Sequence, residues 1–473
     1  MNHLHIPQAA LTNSDVQACF DAAVHNLADI NTVPCDYSVY NVTGLLDPAL
    51  KLMFRAGGDY QTPWTRDAAI NTWNAGRLLL PRVGRNTLLA VCVNDKNGDP
   101  IIQPDDQRWD RVVWTVGAWQ YYLASGDQEF LTIARGIVAR GLKQLDEEWF
   151  CPETGLYNGG SFFNDGISGY PKDIYEPDKD HSFMGEHPRT QTIQSLSTNC
   201  LYCESWRILA RMNALLGIED PEPLARHLAL KERILRTFRR DDGHICYLRY
   251  PDGRMDDSSE LAGICFGVLF GILPDEALNQ LHREPFGVTS IWPPFPGLFS
   301  RERPGRHNNL IWPFLNGFLI QAAALTGRLD LASAELADFT RLVRGSGSFF
   351  EIYDAIDGSV NGGWQIGGDD LQGHLWDSCK DQTWSATGYI AAVLQGIFGI
   401  RILEDRVEFT PCVPEYLRDS SLTGLSIRGR NFDVAVEGWG AKLSQVYVNG
   451  QLHGPCVSFE EEPNRFQIRL VLE

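Results

Sequence analysis

Apolar residues recur at helical spacing through most of the chain. Between Asp110 and Ala124, the residues Val112, Val116, Trp119 and Leu123 fall on one face, and Gly126 follows as a stop signal. From Ile193 to Leu216, Leu196, Cys200, Cys203 and Ala210 keep a similar spacing, and Gly217 has the character of a C-cap. The same test predicts about twelve helices, starting near Ser14, Trp64, Gly84, Gln107, Asp127, Ile193, Asp220, Ser258, Asp275, Asn308, Arg328 and Gln382. Short and long connections alternate: Gly126 barely separates one pair, whereas Gly155 to Thr192 separates the next. Six helical hairpins closed into an (α/α)6 barrel would produce this rhythm, their inner helices converging on one funnel beneath the long loops. An irregular all-α protein shares the periodicity.

Past Ile400 the period changes to two. Arg406 to Pro411, Leu425 to Arg430, Phe432 to Glu437 and Val446 to Gly450 alternate apolar and polar positions, with turn signals such as Asn449-Gly450 between them. The expectation is a mainly α protein: a barrel over 1–400, then a small antiparallel, β-sandwich-like domain over 401–473, too short for its own active site. Residues 36–60 are expected to add short strands or loops capping the first hairpin.

Composition narrows the function. The 473 residues carry 41 basic and 60 acidic side chains, a net charge of −19, which repels phosphate backbones and anionic membranes alike. Nucleic acid and membrane are therefore not expected partners. The N-terminus lacks a basic and apolar leader pattern, and no run of about 18 apolar residues occurs. Eleven scattered cysteines, an odd number, suit small buried side chains in a reducing compartment. The expected setting is the cytoplasm, with room left for a homo-oligomer. Cys200 and Cys203 form a lone CxxC inside a helical pattern, and Asp256-Asp257 and Asp369-Asp370 lack ligand spacing. No GxGxxG, GxxxxGK[ST] or HExxH occurs, so no cofactor or metal is expected.

The aromatic residues are more telling. Many of the 13 Trp, 15 Tyr and 23 Phe sit beside polar groups rather than in apolar runs: Tyr60 and Trp64 next to Arg66 and Asp67, Trp109 next to Asp110, Trp364 next to Gln365. Flat faces beside planar polar groups suit a sugar, although any single such aromatic is equally a half-buried surface residue. Cleaving a glycosidic bond needs two carboxyls across one anomeric carbon, one protonating the leaving oxygen and one activating water or attacking. Two long loops offer them. Asp165 lies among Phe162, Phe163 and Tyr170, surroundings expected to raise its pKa as an acid requires, though Asn164-Asp165-Gly166 also reads as a plain turn. Glu351 lies in Phe350-Glu-Ile-Tyr353, either buried and paired or reactive. Arg66 and Asp67 could hold two adjacent hydroxyls or form a helix-start ion pair. Asp110 has the same two readings, and His307 reads as a hydroxyl donor or a cap.

Three blocks then resemble the six-hairpin glycosidases: Trp64-Thr-Arg-Asp-Ala-Ala-Ile, His307-Asn-Asn-Leu-Ile-Trp312-Pro-Phe-Leu-Asn-Gly-Phe, and Phe350-Glu-Ile-Tyr-Asp followed by Asp381-Gln-Thr-Trp384-Ser-Ala-Thr-Gly-Tyr. In pattern they are most similar to the amylo-1,6-glucosidase domain of glycogen debranching enzymes, glycoside hydrolase family 63 and the trehalases. The likeness runs from about residue 60 to 400 in the same order. His-Asn-Asn stands where those relatives have His-Asn-Gly, and an ESGxD-like acid motif is missing.

The resemblance implies an inverting exo-glycosidase releasing a terminal, α-linked sugar such as glucose from a small carbohydrate. It implies Asp165 as acid and Glu351 as base, with Arg66 and Asp67 gripping the non-reducing sugar. Tyr60, Trp64, Trp109, Asp110, His307, Trp312, Trp364, Gln365 and Trp384 complete the expected substrate-binding set. Asp110, Glu176, Glu186 and Glu260 are the alternative acids.

Three other functions fit the same frame. A phosphorylase would need clustered cations near Glu351, and Phe350-Glu351-Ile352 offers none. A sugar epimerase would need paired histidines, for which only His307 and His374 are well placed. A lectin-like module would need aromatics without the carboxyl pair.

Overall fold

The protein is described from a computed structural model covering residues 6–103, 107–174, 182–295, 302–367 and 370–473. Its helices begin close to the expected positions: α1 (Ser14–His25), α2 (Thr65–Asn71), α3 (Pro81–Ala90), α4 (Asp110–Ser125), α5 (Gln128–Trp149), α6 (Leu196–Leu215), α7 (Glu222–Phe238), α8 (Leu261–Leu269), α9 (Pro313–Leu325), α10 (Leu329–Ser346) and α11 (Thr383–Ala391). The helix expected near Asp275 is only a short 3-10 turn, Asp275–Gln280. The chain there turns at Leu281 into a tight two-stranded pairing, Arg283–Glu284 with Gly287–Val288, which leaves no length for a full helix.

Helices α2, α4, α6, α8, α9 and α11 pack each against the next, and α11 returns to α2, closing a ring. The others lie outside it: α3 on α2 and α4, α5 on α4 and α6, α7 on α6, α10 on α9, and α1 on α10 and α11. Burial follows this division. Nearly every residue of α8 and α9 is buried, whereas α5 and α7 bury a single stripe. Ring helices touch through small residues. A Cβ at Gly117 would lie 2.8 Å from the Ala69 backbone, and one at Gly317 would lie 2.7 Å from the Gly388 carbonyl. Side chains at those points would force the ring apart. Both α2 and α11 run on through π turns, Thr72–Gly76 and Ala392–Ile397.

Most of the C-terminal segment is a six-stranded sheet, with β1 (Gln8–Ala10) from the N-terminus joining β2 (Ser421–Ile427), β3 (Arg430–Glu437), β4 (Leu443–Val448), β5 (Gln451–His453) and β6 (Arg465–Leu472) in the order β1-β2-β3-β6-β4-β5. Antiparallel pairing was expected throughout, but β3 and β6 run parallel from Asn431↔Arg465 to Glu437↔Val471. Alternation sets which face of a strand is buried; it carries nothing about the neighbour's direction. One continuous apolar cluster extends from Leu11 through the ring to Leu472. Arg428 fastens the two parts, its backbone N–H donating to Ala124 O (2.9 Å) and its Nε to Leu123 O (3.0 Å), so it caps the C-terminal end of α4. Strands Thr32–Pro34 and Leu52–Phe54 pair beside α3, and only the second falls within residues 36–60, where short strands or loops were expected. All eleven cysteines are free, and Cys200 and Cys203 are buried. Among the described residues, no helix is long and apolar enough to cross a membrane.

Candidate active site

The ring positions a cavity at the N-terminal ends of its helices. Its volume is about 390 Å3, and its wall includes Tyr60, Trp64, Arg66, Asp67, Asp110, Asp165, His307, Trp312, Glu351 and Trp384. Helix α2 supplies Arg66 and Asp67 in its first turn, α4 begins at Asp110, Trp312 is the N-cap of α9, and Trp384 lies in the first turn of α11. Helix N-termini carry partial positive charge, which favours carboxylates gathered in front of them.

Asp165 and Glu351 come from separate loops, before α6 and after α10. Glu351 is buried. Its Oε2 accepts from Arg306 Nη2 at 2.8 Å and, at 3.5 Å, from Tyr60 OH and the Cys379 backbone N–H. Among the described residues every hydrogen bond to this carboxylate falls on Oε2. Arg306 is itself anchored, donating to Gly362 O (2.7 Å) and Asp377 O (3.1 Å). Pairing of Leu310–Ile311 with Tyr353–Asp354 draws the Arg306 and Glu351 loops together. The immediate sequence neighbours of Glu351 carry no cation, so folding alone creates this ion pair.

Asp165 is held differently. Its Oδ1 lies 3.1 Å from His307 Nε2, while Arg66 Nη2 (3.5 Å) and Gln107 Nε2 (3.3 Å) reach Oδ2. Burial by itself would raise its pKa. The hydrogen bond from His307 and the positive charges of Arg66 and Arg306 outweigh burial and hold Asp165 well below the usual carboxylate range. This corrects the expectation of an apolar, proton-retaining acid: the flanking aromatics are present, but polar partners from distant loops dominate. Asp67 shows the opposite. Burial, only partly offset by Arg66 and reinforced by the charges of Glu351 and Asp165, raises it to about 7.

Burial also lowers the pKa of His307 against the pull of Asp165, favouring a neutral imidazole. Its Nδ1 lies 3.3 Å from Gln365 Nε2, which assigns Nδ1 as acceptor and Nε2–H as donor to Asp165. Gln365 is fixed in turn by the Ser168 N–H on its Oε1 (3.2 Å). Gly166 must be glycine, because a Cβ would collide with Gln365 Nε2 and His307 Nδ1. Phe163 has φ +57°, rare for an aromatic, and its ring packs edge-on against Trp312 and Phe314 with centroids 5.0 and 5.4 Å away. That turn lets the Asp165 N–H donate to Phe163 O at 2.8 Å.

Three expected binding residues lie elsewhere. Trp109 is fully buried in the apolar core. Trp364 carries the Arg303 guanidinium 4.2 Å over its ring and is absent from the wall. Gln365 positions His307 from behind and does not line the cavity. Among the alternative acids, Asp110 is on the wall, Glu186 is exposed outside it, and Glu176, like Asp369, lies outside the described residues. Glu260 is buried off the wall, where its Oε2 accepts from the Ser197 N–H (3.0 Å) at the start of α6. His374 is also off the wall. The cavity adds Gln107, Phe163, Phe183, Arg306 and Gln382, none of them in the expected set. Arg306 directly precedes His307, and Gln382 belongs to the block around Trp384, so both stood next to residues already singled out.

The sequence matches no protein-family model and no curated protein. Solved structures do match. A sialidase aligns with a TM-score of 0.69 at 14% identity, over 98% of this chain and 41% of its own, so the chain spans about two-fifths of that protein. A glycoside hydrolase family 63 mannosylglycerate hydrolase from Thermus thermophilus, in complex with glucose, aligns with a TM-score of 0.56 at 14% identity, over 79% of this chain and 99% of its own. A family 78 rhamnosidase of Bacillus sp. GL1 aligns with a TM-score of 0.53 at 15% identity, over 92% of this chain and 42% of its own. These neighbours are glycoside hydrolases by name, and the chain shares their fold.

Proposed function

We propose that the chain is a glycoside hydrolase whose ring and outer helices form an (α/α)6 barrel over residues 1–400, with 401–473 an accessory β-domain. The observation that carries this reading is the pair Asp165 and Glu351, from distant loops, on one aromatic-lined cavity. The reaction is hydrolysis of a terminal α-linked sugar with inversion. Asp165 gives a proton to the glycosidic oxygen as the C1–O bond breaks. Glu351 takes a proton from the water whose oxygen bonds to C1 on the opposite face. With Oε2 held by Arg306, Oε1 is the atom left to receive that proton. Arg66 and Asp67 grip ring hydroxyls while Trp64, Trp312 and Trp384 offer flat faces.

Asp165 is an anion in the free site, so the substrate has to change its state. Hydroxyls that engage Arg66 draw a cation off Asp165 and displace water, and both effects raise its proton affinity. An inverting pair needs carboxyls about 6.5–9.5 Å apart around the bound sugar.

The test is an assay of aryl α-glucosides, α-mannosides and α-rhamnosides, with the first-formed anomer of the product followed by NMR. Appearance of the β-anomer from an α-substrate is expected. The α-anomer would exclude inversion, and absence of turnover across a broad glycoside panel would exclude the hydrolase. A phosphorylase is the second reading, because Arg306 stands 2.8 Å from Glu351 and Arg66 lines the same cavity. Running each assay with and without inorganic phosphate separates the two: a phosphorylase releases a sugar phosphate, and a hydrolase ignores the additive.

A further inference from the structure

Beside the catalytic cavity lies a second one, of about 430 Å3 against about 390 Å3 for the first. Gln107 and Phe183 belong to the walls of both. Gln107 is also the residue whose Nε2 donates to Asp165 Oδ2 at 3.3 Å. None of the residues that hold Glu351 borders the second cavity: Tyr60, Arg306 and Cys379 are all absent from its wall. The second cavity therefore adjoins the first on the side of Asp165.

In an acid-assisted cleavage the proton donor stands on the leaving-group side and the attacking water on the opposite face. A chamber that meets the active cavity at the acid's own partner lies where the departing group must go. Its lining is suited to hydroxyls. Trp149 offers an aromatic surface, Gln191 an amide, and Arg111 with Glu148, 3.9 Å apart, a paired cation and anion. Arg108 and Glu186, also on this wall, add one charge of each sign, so the lining carries no surplus charge to select an ionic partner. The space, slightly larger than the catalytic cavity, admits a further sugar.

We propose that this chamber is the leaving-group subsite, and that the substrate carries a neutral sugar there rather than a small alkyl or charged aglycone. The proposal rests on the reading of Asp165 as the acid. Its test compares a disaccharide with the methyl glycoside of the same terminal sugar. Both leaving groups are poor alkoxides that depend on the acid's proton, and only the disaccharide fills the chamber. The unaltered enzyme should favour the disaccharide in kcat/KM by about tenfold or more. In Glu148→Ala/Gln191→Ala that preference should fall by about tenfold, chiefly through KM. Gln191→Ala alone, a milder change, should show part of the same loss, with folding checked by circular dichroism. Equal losses on the two substrates, no loss, or preference for a carboxylate-bearing aglycone would overturn the subsite while leaving the hydrolase reading intact. Failure of the unaltered enzyme to turn over either glycoside would overturn both.

Discussion

The two walls of the cavity hold their carboxylates by opposite means. Glu351 is fixed by a buried guanidinium that is itself tied to two backbone carbonyls, and its side chain is only 6% exposed. Asp165 sits on a loop with a left-handed Phe163, its side chain 31% exposed and its partners reaching across from other loops. An anchored partner keeps its carboxylate in one place. Partners brought in from separate segments, such as Arg66 and Gln107, can turn toward substrate hydroxyls, so the carboxylate they hold can change state on binding. The first arrangement suits a base and the second an acid that is loaded only in the complex.

Removing the anchored carboxylate should do the most damage. Glu351→Gln keeps the acceptor for Arg306 but cannot take a proton from water, so kcat should fall by about 10^2–10^4-fold with KM little changed. Steady-state kinetics check this, and turnover within about tenfold of the native enzyme would return Glu351 to a purely structural ion pair.

The comparison sharpens with Asp165→Asn. Loss of the acid should lower kcat/KM by about 10^2-fold or more on a methyl glycoside, yet by less than about tenfold on a dinitrophenyl glycoside, whose leaving group needs no proton. Equal losses on the two substrates would show that Asp165 binds rather than protonates.

The smallest effect concerns Asp67, which lines the same cavity as Asp165 but is raised to about 7 rather than depressed. The unfolded chain releases this proton near the ordinary aspartate value, whereas the fold keeps it until about pH 7. The fold therefore loses stability as pH rises from about 4 to about 7, by at most about 4 kcal/mol. Asp67→Asn should flatten that part of the profile, raising the melting temperature relative to the native protein at pH 8 and not at pH 4. Calorimetry across this range reads the difference directly, and parallel profiles would mean that Asp67 is already ionised in the native state.

Helical spacing along the chain determined where nearly all the helices begin, because burying one stripe per helix leaves a local, periodic trace. Period-two alternation after Ile400 determined the strands for the same reason. The aromatic and polar clusters around Trp64, His307 and Trp384 carried most of the cavity wall, since each is a short segment at the start of a ring helix. Tertiary structure alone decided the rest. Trp109 and Trp364 have polar neighbours in sequence, as Trp64 does, and only packing turns them away from the cavity. The parallel pairing of β3 with β6 depends on a strand inserted from 28 residues further on, after the end of β3. The charge state of Asp165 is set by Arg66, Arg306 and His307, which lie up to 142 residues from it along the chain. Electrostatic energy depends on distances of a few ångströms between such groups, and those distances exist only once the ring has closed.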